Sequence, residues 1–391
     1  MKILKGIVLS FFAFLLFLSL TVLGFSFMVN RTILNPGFVT AEINRLDFPS
    51  LVEDMVSQQK DIPQDLKTSL LKTIPDIEPQ IKQQADAAVY SIYDYLLGKK
   101  EKPELAATLR STLLKTDNLV ALVDKLDLSA FAKEFIRTQS SQQFPPQVKQ
   151  YLIDSMDKTI ADLKPWIKQQ VTAVADPMLD YLLGKRDTFS VSVPLGPVKE
   201  AFRVNVKEAF LKSPPPEVAG VPPAMLGQLF DMFYQQFSAT MPATFVVDQS
   251  MLGNNDARNQ IAGQIAEAER NLEQAKRFVS YSQLIFQILI GLSLLLSLCI
   301  VLIYREIKGS ARRLGTTFFT YGVMEYAGIF VGKYIIGKQL PLAETPQVLQ
   351  NWLPQFIDHL FAPLAAFSLG CAIGGLVLII VSFVYKPRQI G

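Results

Sequence analysis

The chain has 391 residues, half of them hydrophobic, a mean hydropathy of +0.25 and a formal charge of +3, which is too apolar for an ordinary soluble protein and too polar for a pure bundle of membrane helices. The charge is unevenly placed: residues 30–280 hold 28 Lys/Arg against 31 Asp/Glu, and the remainder holds 10 basic against 4 acidic. The positive balance therefore follows topology, and with no basic stripe interleaved with aromatics in the long middle segment, nucleic acid is excluded as a partner.

The first element expected is a membrane helix over residues 6–29, which is 24 residues without a charge, preceded by Lys2 and Lys5. A secretory signal has an apolar core of only about 7–15 residues and a small-x-small cleavage site. This run is longer and "VLGFSF" is a poor site, so residues 1–29 read as an uncleaved signal anchor.

Residues 30–253 then read as an extracytoplasmic helical domain built on a tandem repeat. "PQIKQQADAAVYSIYDYLLGK" (residues 79–99) aligns without a gap on "PWIKQQVTAVADPMLDYLLGK" (165–185), with 12 of 21 positions identical. Upstream, "RLDFPSLVEDMV" parallels "KLDLSAFAKEFI", and "IPQDLK" parallels "FPPQVK". The copies span about 33–100 and 113–186, a length unlike the common solenoids. Ile81, Ala85, Ala88, Ile92 and Leu96 in one copy, and Ile167, Val171, Val174, Met178 and Leu182 in the other, step by three and four. That is the apolar stripe of a helix. Each copy ends on Tyr-Leu-Leu-Gly-Lys: Tyr95, Gly98 and Lys99, then Tyr181, Gly184 and Lys185. Gly adopts the left-handed conformation past a helix end without steric cost, and Lys suits the negative end of the dipole. The motif is expected to be a helix terminus with its leucines in the core; a two-fold ligand site from Tyr95/Tyr181 and Asp94/Asp180 is the sharper alternative.

"DTFSVSVPL" and "ATFVVD" alternate and predict a small β ribbon, separated by the Pro-rich loop "SPPPEVAGVPP". Leu226, Leu229, Phe230, Phe233, Phe237 and Met241 mark a broad apolar helix face, for core packing or for a partner or lipid surface. Residues 254–283 predict a stalk helix: Ile261, Ile265, Ala268, Leu272, Ala275 and Val279 form a heptad seam. Its partner is either a helix of the same chain or a second copy, and self-association through the stalk is one expectation.

The remainder, residues 284–391, reads as a three-helix membrane domain with spans at 284–303, 315–337 and 363–385. Cys299 and Cys371 lie inside these apolar runs, so no disulfide framework is available to the polar region. With His359 as the only histidine, no zinc site of the usual ligands is expected, nor any cofactor. The span at 315–337 carries Glu325 and Lys333. It is needed to bring Lys2 and Lys5, then Arg305, Lys308, Arg312 and Arg313, then Lys386 and Arg388 to one side, as the positive-inside rule asks. Both termini are then cytoplasmic and the lipid bilayer is a partner. Glu325 is the residue to watch, because an intramembrane carboxylate faces protein or water. It shares a face with Thr317 and Tyr321, to which it is placed to hydrogen-bond, and with Gly328 and Gly332. Gly370 and Gly374 repeat the GxxxG spacing in the last span, and such faces let helices pack closely. Lys333 is placed to snorkel outward. Val348, Leu349, Trp352, Leu353, Phe356 and Ile357 predict a separate short surface helix, with His359 meeting solvent or headgroups at the membrane edge.

The fold class expected is thus a mainly α membrane protein with four transmembrane helices and a repeat-built outer domain. No nucleophile triad, phosphate loop or dinucleotide turn can be placed, so the expectation is a non-catalytic protein of the cell membrane that binds or scaffolds through its outer domain. The alternative is a membrane subunit of a transporter or export complex using Glu325.

Overall fold

In the computed structural model the described residues are 2–58, 64–138, 146–218, 220–253, 255–339 and 345–384. Parts of "IPQDLK" and "FPPQVK", and the basic pair Lys386 and Arg388, lie outside them. The described chain is mostly helical, with one two-stranded sheet. It divides into an apolar unit (Met1–Asp47, Val89–Pro103, Asn271–Gly391) and a polar unit (Phe48–Ala88, Glu104–Arg270).

The apolar unit contains α1 (Lys2–Arg31), α2 (Pro36–Asn44), the last turns of α4 (Gln64–Leu96), most of α11 (Asn255–Tyr304), α12 (Ile307–Gln339) and α13 (Gln347–Val384). Three of these helices, α1, α11 and α13, are long and apolar enough to cross a membrane. Their side chains meet in two layers. Leu9, Leu16, Leu20 and Leu23 of α1 pack with Leu296 and Ile300 of α11 and with Leu314 and Tyr321 of α12. Met28 and Val29 of α1 pack with Val279 of α11, Ile329 of α12 and Leu364 of α13. Among lipid tails, apolar contact gives no solvent-driven gain, so close approach and buried polar pairs decide which helices associate. Both are present: Ser19 and Ser293 join α1 to α11 by a buried 2.8 Å hydrogen bond, and α12 lies against α13 along a glycine seam.

That seam is not where the GxxxG pairs placed it. A Cβ on Gly315 would stand 2.8 Å from the Gly375 carbonyl oxygen, and one on Gly322 would collide with the backbone of Ser368 and Ala372. Gly328, Gly332, Gly370 and Gly374 have nothing within 4 Å of the same position. Spacing identifies which glycines share a helix face; the neighbour meets another face, about 120° around the helix from Gly328 at 3.6 residues per turn. The separate surface helix expected before the last span is also corrected: Val348 to Ile357 are the opening turns of α13, which runs unbroken for 38 residues through Pro354 and Pro363.

The polar unit holds α3 (Phe48–Gln58), the body of α4, α5 (Leu105–Ser111), α6 (Thr116–Lys125), α7 (Leu128–Thr138), α8 (Pro146–Leu182), α9 (Gly196–Lys212), α10 (Pro223–Thr240) and the first turns of α11. Its ribbon pairs β1 (Ser190–Pro194) with β2 (Thr244–Asp248) antiparallel, from Ser190 opposite Asp248 to Pro194 opposite Thr244, as the two alternating segments predicted. Ile136 of α7 packs on Leu152 and Met156 of α8, with Phe202 and Val206 of α9 beside them. The Pro-rich segment ends α9 and starts α10, and its described residues include a short 3-10 turn at Pro216–Val218. On α10 the broad apolar face divides: Leu226, Phe230 and Tyr234 are buried, whereas Leu229 and Phe233 are exposed.

The two Tyr-Leu-Leu-Gly-Lys motifs terminate α4 and α8 in the same way. Gly98 and Gly184 take φ of +80° and +73°. The amide of Lys99 donates to the Asp94 carbonyl and that of Gly98 to Tyr95, and Lys185 and Gly184 repeat this on Asp180 and Tyr181. This is the six-to-one and five-to-two bonding of a Schellman end. The tyrosines, more than the leucines, are the buried anchors, at 3% and 0% exposed. Each ring meets a cation from α11: Lys276 lies 4.2 Å from the Tyr95 ring centre in the apolar unit, and Arg258 lies 5.7 Å from that of Tyr181 in the polar unit. One residue of the heptad seam, Val279, is engaged by its own chain in the apolar core, and Ala262, beside the seam, stands against Gly184.

Candidate functional site

In the polar unit, the stripe Ile167, Val171, Val174 and Met178 of α8 forms one wall of an open trough of about 390 Å³, and Leu119, Leu122 and Val123 of α6 form the other. The reason for a trough, where the periodicity led one to expect a closed core, lies in how α6 is fastened. At its start, Thr116 and Arg110 hydrogen-bond Asp176 of α8. At its end, Asp124 pairs with Lys168 at 2.5 Å and Lys164 at 3.4 Å. Asn118 is held from the far side by Gln84 of α4 at 2.6 Å. Polar contacts thus set the separation of α6 and α8 at both ends, and the apolar middle is left short of contact. Gln170 is the one polar residue in the lining. Trp166 is also there, and its indole N–H is buried without an acceptor, a group that usually finds one.

The electrostatics of the two ends differ. Hydrogen bonding from Lys168, then Lys164, holds the Asp124 carboxyl below its usual range. At the other end the hydrogen bond from Thr116, with the charge of Arg110, does the same for Asp176, and Arg110 also reaches Asp180 at 3.8 Å. Two lysines share one carboxylate at the Trp166 end, whereas at the Met178 end two carboxylates are served by Arg110 and by Arg186, which lies 3.7 Å from Asp180. A second depression, about 590 Å³, lies beyond Lys125 and is lined by Lys72, Asp76, Lys133, Arg137 and Asp157 among others. Its charges are largely matched, with Lys133 at 2.6 Å from Asp157.

In the apolar unit, Glu325 is half-buried on α12, one turn from Tyr321. The expected hydrogen bond between them is absent: the Tyr321 side chain is fully buried and its hydroxyl has no partner. The ring is instead wedged between Phe17 and Phe367. Lys333 does not simply reach outward; it pairs with Asp358 of α13 at 2.8 Å.

Sequence reasoning missed the arrangement around Glu42. This carboxylate, on α2, is 2% exposed. Its Oε1 meets Arg45 and, at 3.0 Å, Nδ1 of His359 on α13. Arg45 Nη1 lies 3.0 Å from the same His359 nitrogen. The Trp352 indole donates to the Glu42 carbonyl at 3.2 Å. His359 therefore contacts protein, while its side chain stays 38% exposed. More than 300 residues separate Glu42 from its α13 partners, so no local pattern could have paired them.

No known protein family matches the chain, and neither does any curated protein or solved structure. What the fold defines is a class: a mostly helical chain with three helices, among the described residues, long and apolar enough to cross a membrane.

Proposed function

We propose that this is a non-catalytic membrane protein whose polar unit, outside the cytoplasm, is a binding module. The observation that carries the reading is the apolar trough between α6 and α8, open to solvent, with Gln170 and Trp166 in its lining. Concave apolar sites of roughly 300–1,000 Å³ with few polar groups are the ordinary form of a ligand site.

The membrane arrangement that goes with this reading has four crossings, both termini cytoplasmic. Support for α12 as the fourth comes from the two packing layers: α12 enters the same layer as Leu9 and Ile300 through Leu314, and the same layer as Met28 and Val279 through Ile329. A helix that traverses both layers with α1 traverses the same slab of bilayer. Retention of α1 as an anchor is supported by its full integration, with Leu16 completely buried and Ser19 bonded to Ser293. The tandem duplication is supported by the matched helix ends at Gly98 and Gly184.

The binding reading is tested with the full-length Trp352→Phe protein in nanodiscs, which leaves Trp166 as the sole tryptophan of two. A neutral polarity-sensitive dye such as Nile red is titrated while energy transfer from Trp166 is followed. Saturable transfer, lost on Val174→Glu, is expected; transfer that rises without saturation, unaltered by Val174→Glu, removes the trough as a binding surface.

A further inference from the structure

We infer that the α6–α8 trough receives a single acyl chain bearing an anionic head, the chemistry of a long-chain carboxylate. The inference rests on the trough being a binding surface and narrows what it binds. Length is the first ground. From Trp166 to Met178 the trough follows twelve residue steps of α8, about 18 Å at 1.5 Å per step. A bilayer's hydrocarbon core is about 30 Å thick, so one chain of a leaflet extends about 15 Å. Size is the second. A trough of about 390 Å³ between two helices is small beside a stable protein interface, which engages roughly 20–30 residues on each side, so a slender ligand fits better than a folded partner.

Charge sets the head and its direction. At the Trp166 end, Lys164 and Lys168 share Asp124 and remain more than a third exposed. Lys125 follows directly on α6, its ammonium on the Asp76 carbonyl at 2.5 Å. An anion here meets surplus positive charge. At the Met178 end it would meet Asp176 and Asp180, already matched by Arg110 and Arg186. Trp166 lines the trough at the favourable, lysine-bearing end and stands as a reporter beside the head position. The ligand so placed lies with its tail toward Met178 and its head between Trp166 and Lys168.

The experiment uses the full-length Trp352→Phe protein in nanodiscs of saturated zwitterionic lipid. Two probes are compared, 9,10-dibromostearate and the corresponding dibromostearyl alcohol, whose bromines quench a tryptophan on contact. Saturable quenching of Trp166 by the acid is expected, with the alcohol weaker by on the order of tenfold, equivalent to about 1.4 kcal/mol. Val174→Glu and, independently, Met178→Asp should abolish quenching, and Lys168→Gln should narrow the acid–alcohol difference while circular dichroism stays unchanged. Equal affinity for acid and alcohol overturns the anionic head. Quenching by neither probe, while Nile red still binds, overturns the acyl chain and leaves the binding reading standing. If Nile red fails too, the binding reading itself falls. A concentration-dependent shift of Trp166 emission without any amphiphile, matched by association of discs, also overturns it, in favour of a second copy of the chain.

Discussion

Glu42 is the residue on which the apolar unit concentrates its polar chemistry. A carboxylate removed from solvent keeps its charge only if the lost hydration is replaced by partners, and losing one partner of a buried pair costs more than the pair contributes. Glu42 has Arg45 on its own helix and His359 from α13, while its second oxygen has none. His359→Ala is expected to destabilise by about 1–3 kcal/mol, the cost of under-satisfying a buried group. Adding Glu42→Gln should restore part of that loss, since the neutral amide needs less compensation. Thermal unfolding of the four proteins in one detergent, analysed as a double-mutant cycle, checks this; additive losses would mean the two side chains are not coupled. Tyr321 makes the opposite case. Its hydroxyl is buried with no partner, so Tyr321→Phe should leave the melting temperature unchanged or raise it, whereas a fall would reveal a bond the hydroxyl makes. Glu325→Gln is expected to preserve folding, and ligand binding in the trough should survive it if the carboxylate serves packing alone.

Among elements, the α12–α13 hairpin separates what spacing reveals from what it conceals. Gly322→Leu is expected to disrupt packing, since overpacking a tight contact typically costs 1–3 kcal/mol or more, while Gly328→Leu should stay within about 0.5 kcal/mol. The same melting measurement on both variants decides it, and equal losses would refute the seam. The sequence could show which glycines align but not which face of α12 meets α13, because lipid and protein are equally apolar neighbours. Similarly, the stripe on α8 was visible as a stripe; that it would remain half-open depended on ion pairs made by residues far apart in the chain. The helix ends at Gly98 and Gly184 and the ribbon were legible because each rests on local chemistry. Acid tests the fastening of α6. Asp124 and Asp176, with Asp157 held by Lys133 and Ser129, titrate below their ordinary value of 3.8. A carboxyl lowered in the folded state stabilises above its unfolded pKa and loses that contribution as pH falls through the folded one. Hydrogen exchange in α6, corrected for intrinsic rate, should therefore accelerate below about pH 4. The change should be small, because the pairs are solvent-accessible, and Asp124→Asn should remove most of the pH dependence at the C-terminal turn.

At the scale of the molecule, the open question of arrangement is whether α12 crosses. Composition alone selects three helices, since Glu325, Lys333 and several small polar residues lower the hydropathy of α12. Two physical facts point the other way. The basic residues Arg305, Lys308, Arg312 and Arg313 cluster between α11 and α12, where the positive-inside rule places a cytoplasmic link once the chain begins with Lys2 and Lys5 on that side. The packing of α12 also follows α1 from Ser10, bonded to Arg313 at 2.8 Å, up to the layer of Met28 and Ile329. If α12 crosses, Lys308 and Thr345 stand on opposite faces of the membrane; if it does not, they share one. Single cysteines at these positions, in a Cys299→Ala/Cys371→Ala background, can be labelled in intact cells with an impermeant maleimide. Thr345→Cys is expected to label from outside and Lys308→Cys only after permeabilisation. Labelling of both from the same side would leave three crossings and would put the C-terminus opposite the N-terminus, and the trough would then have to be sought on whichever side residues 30–253 were found.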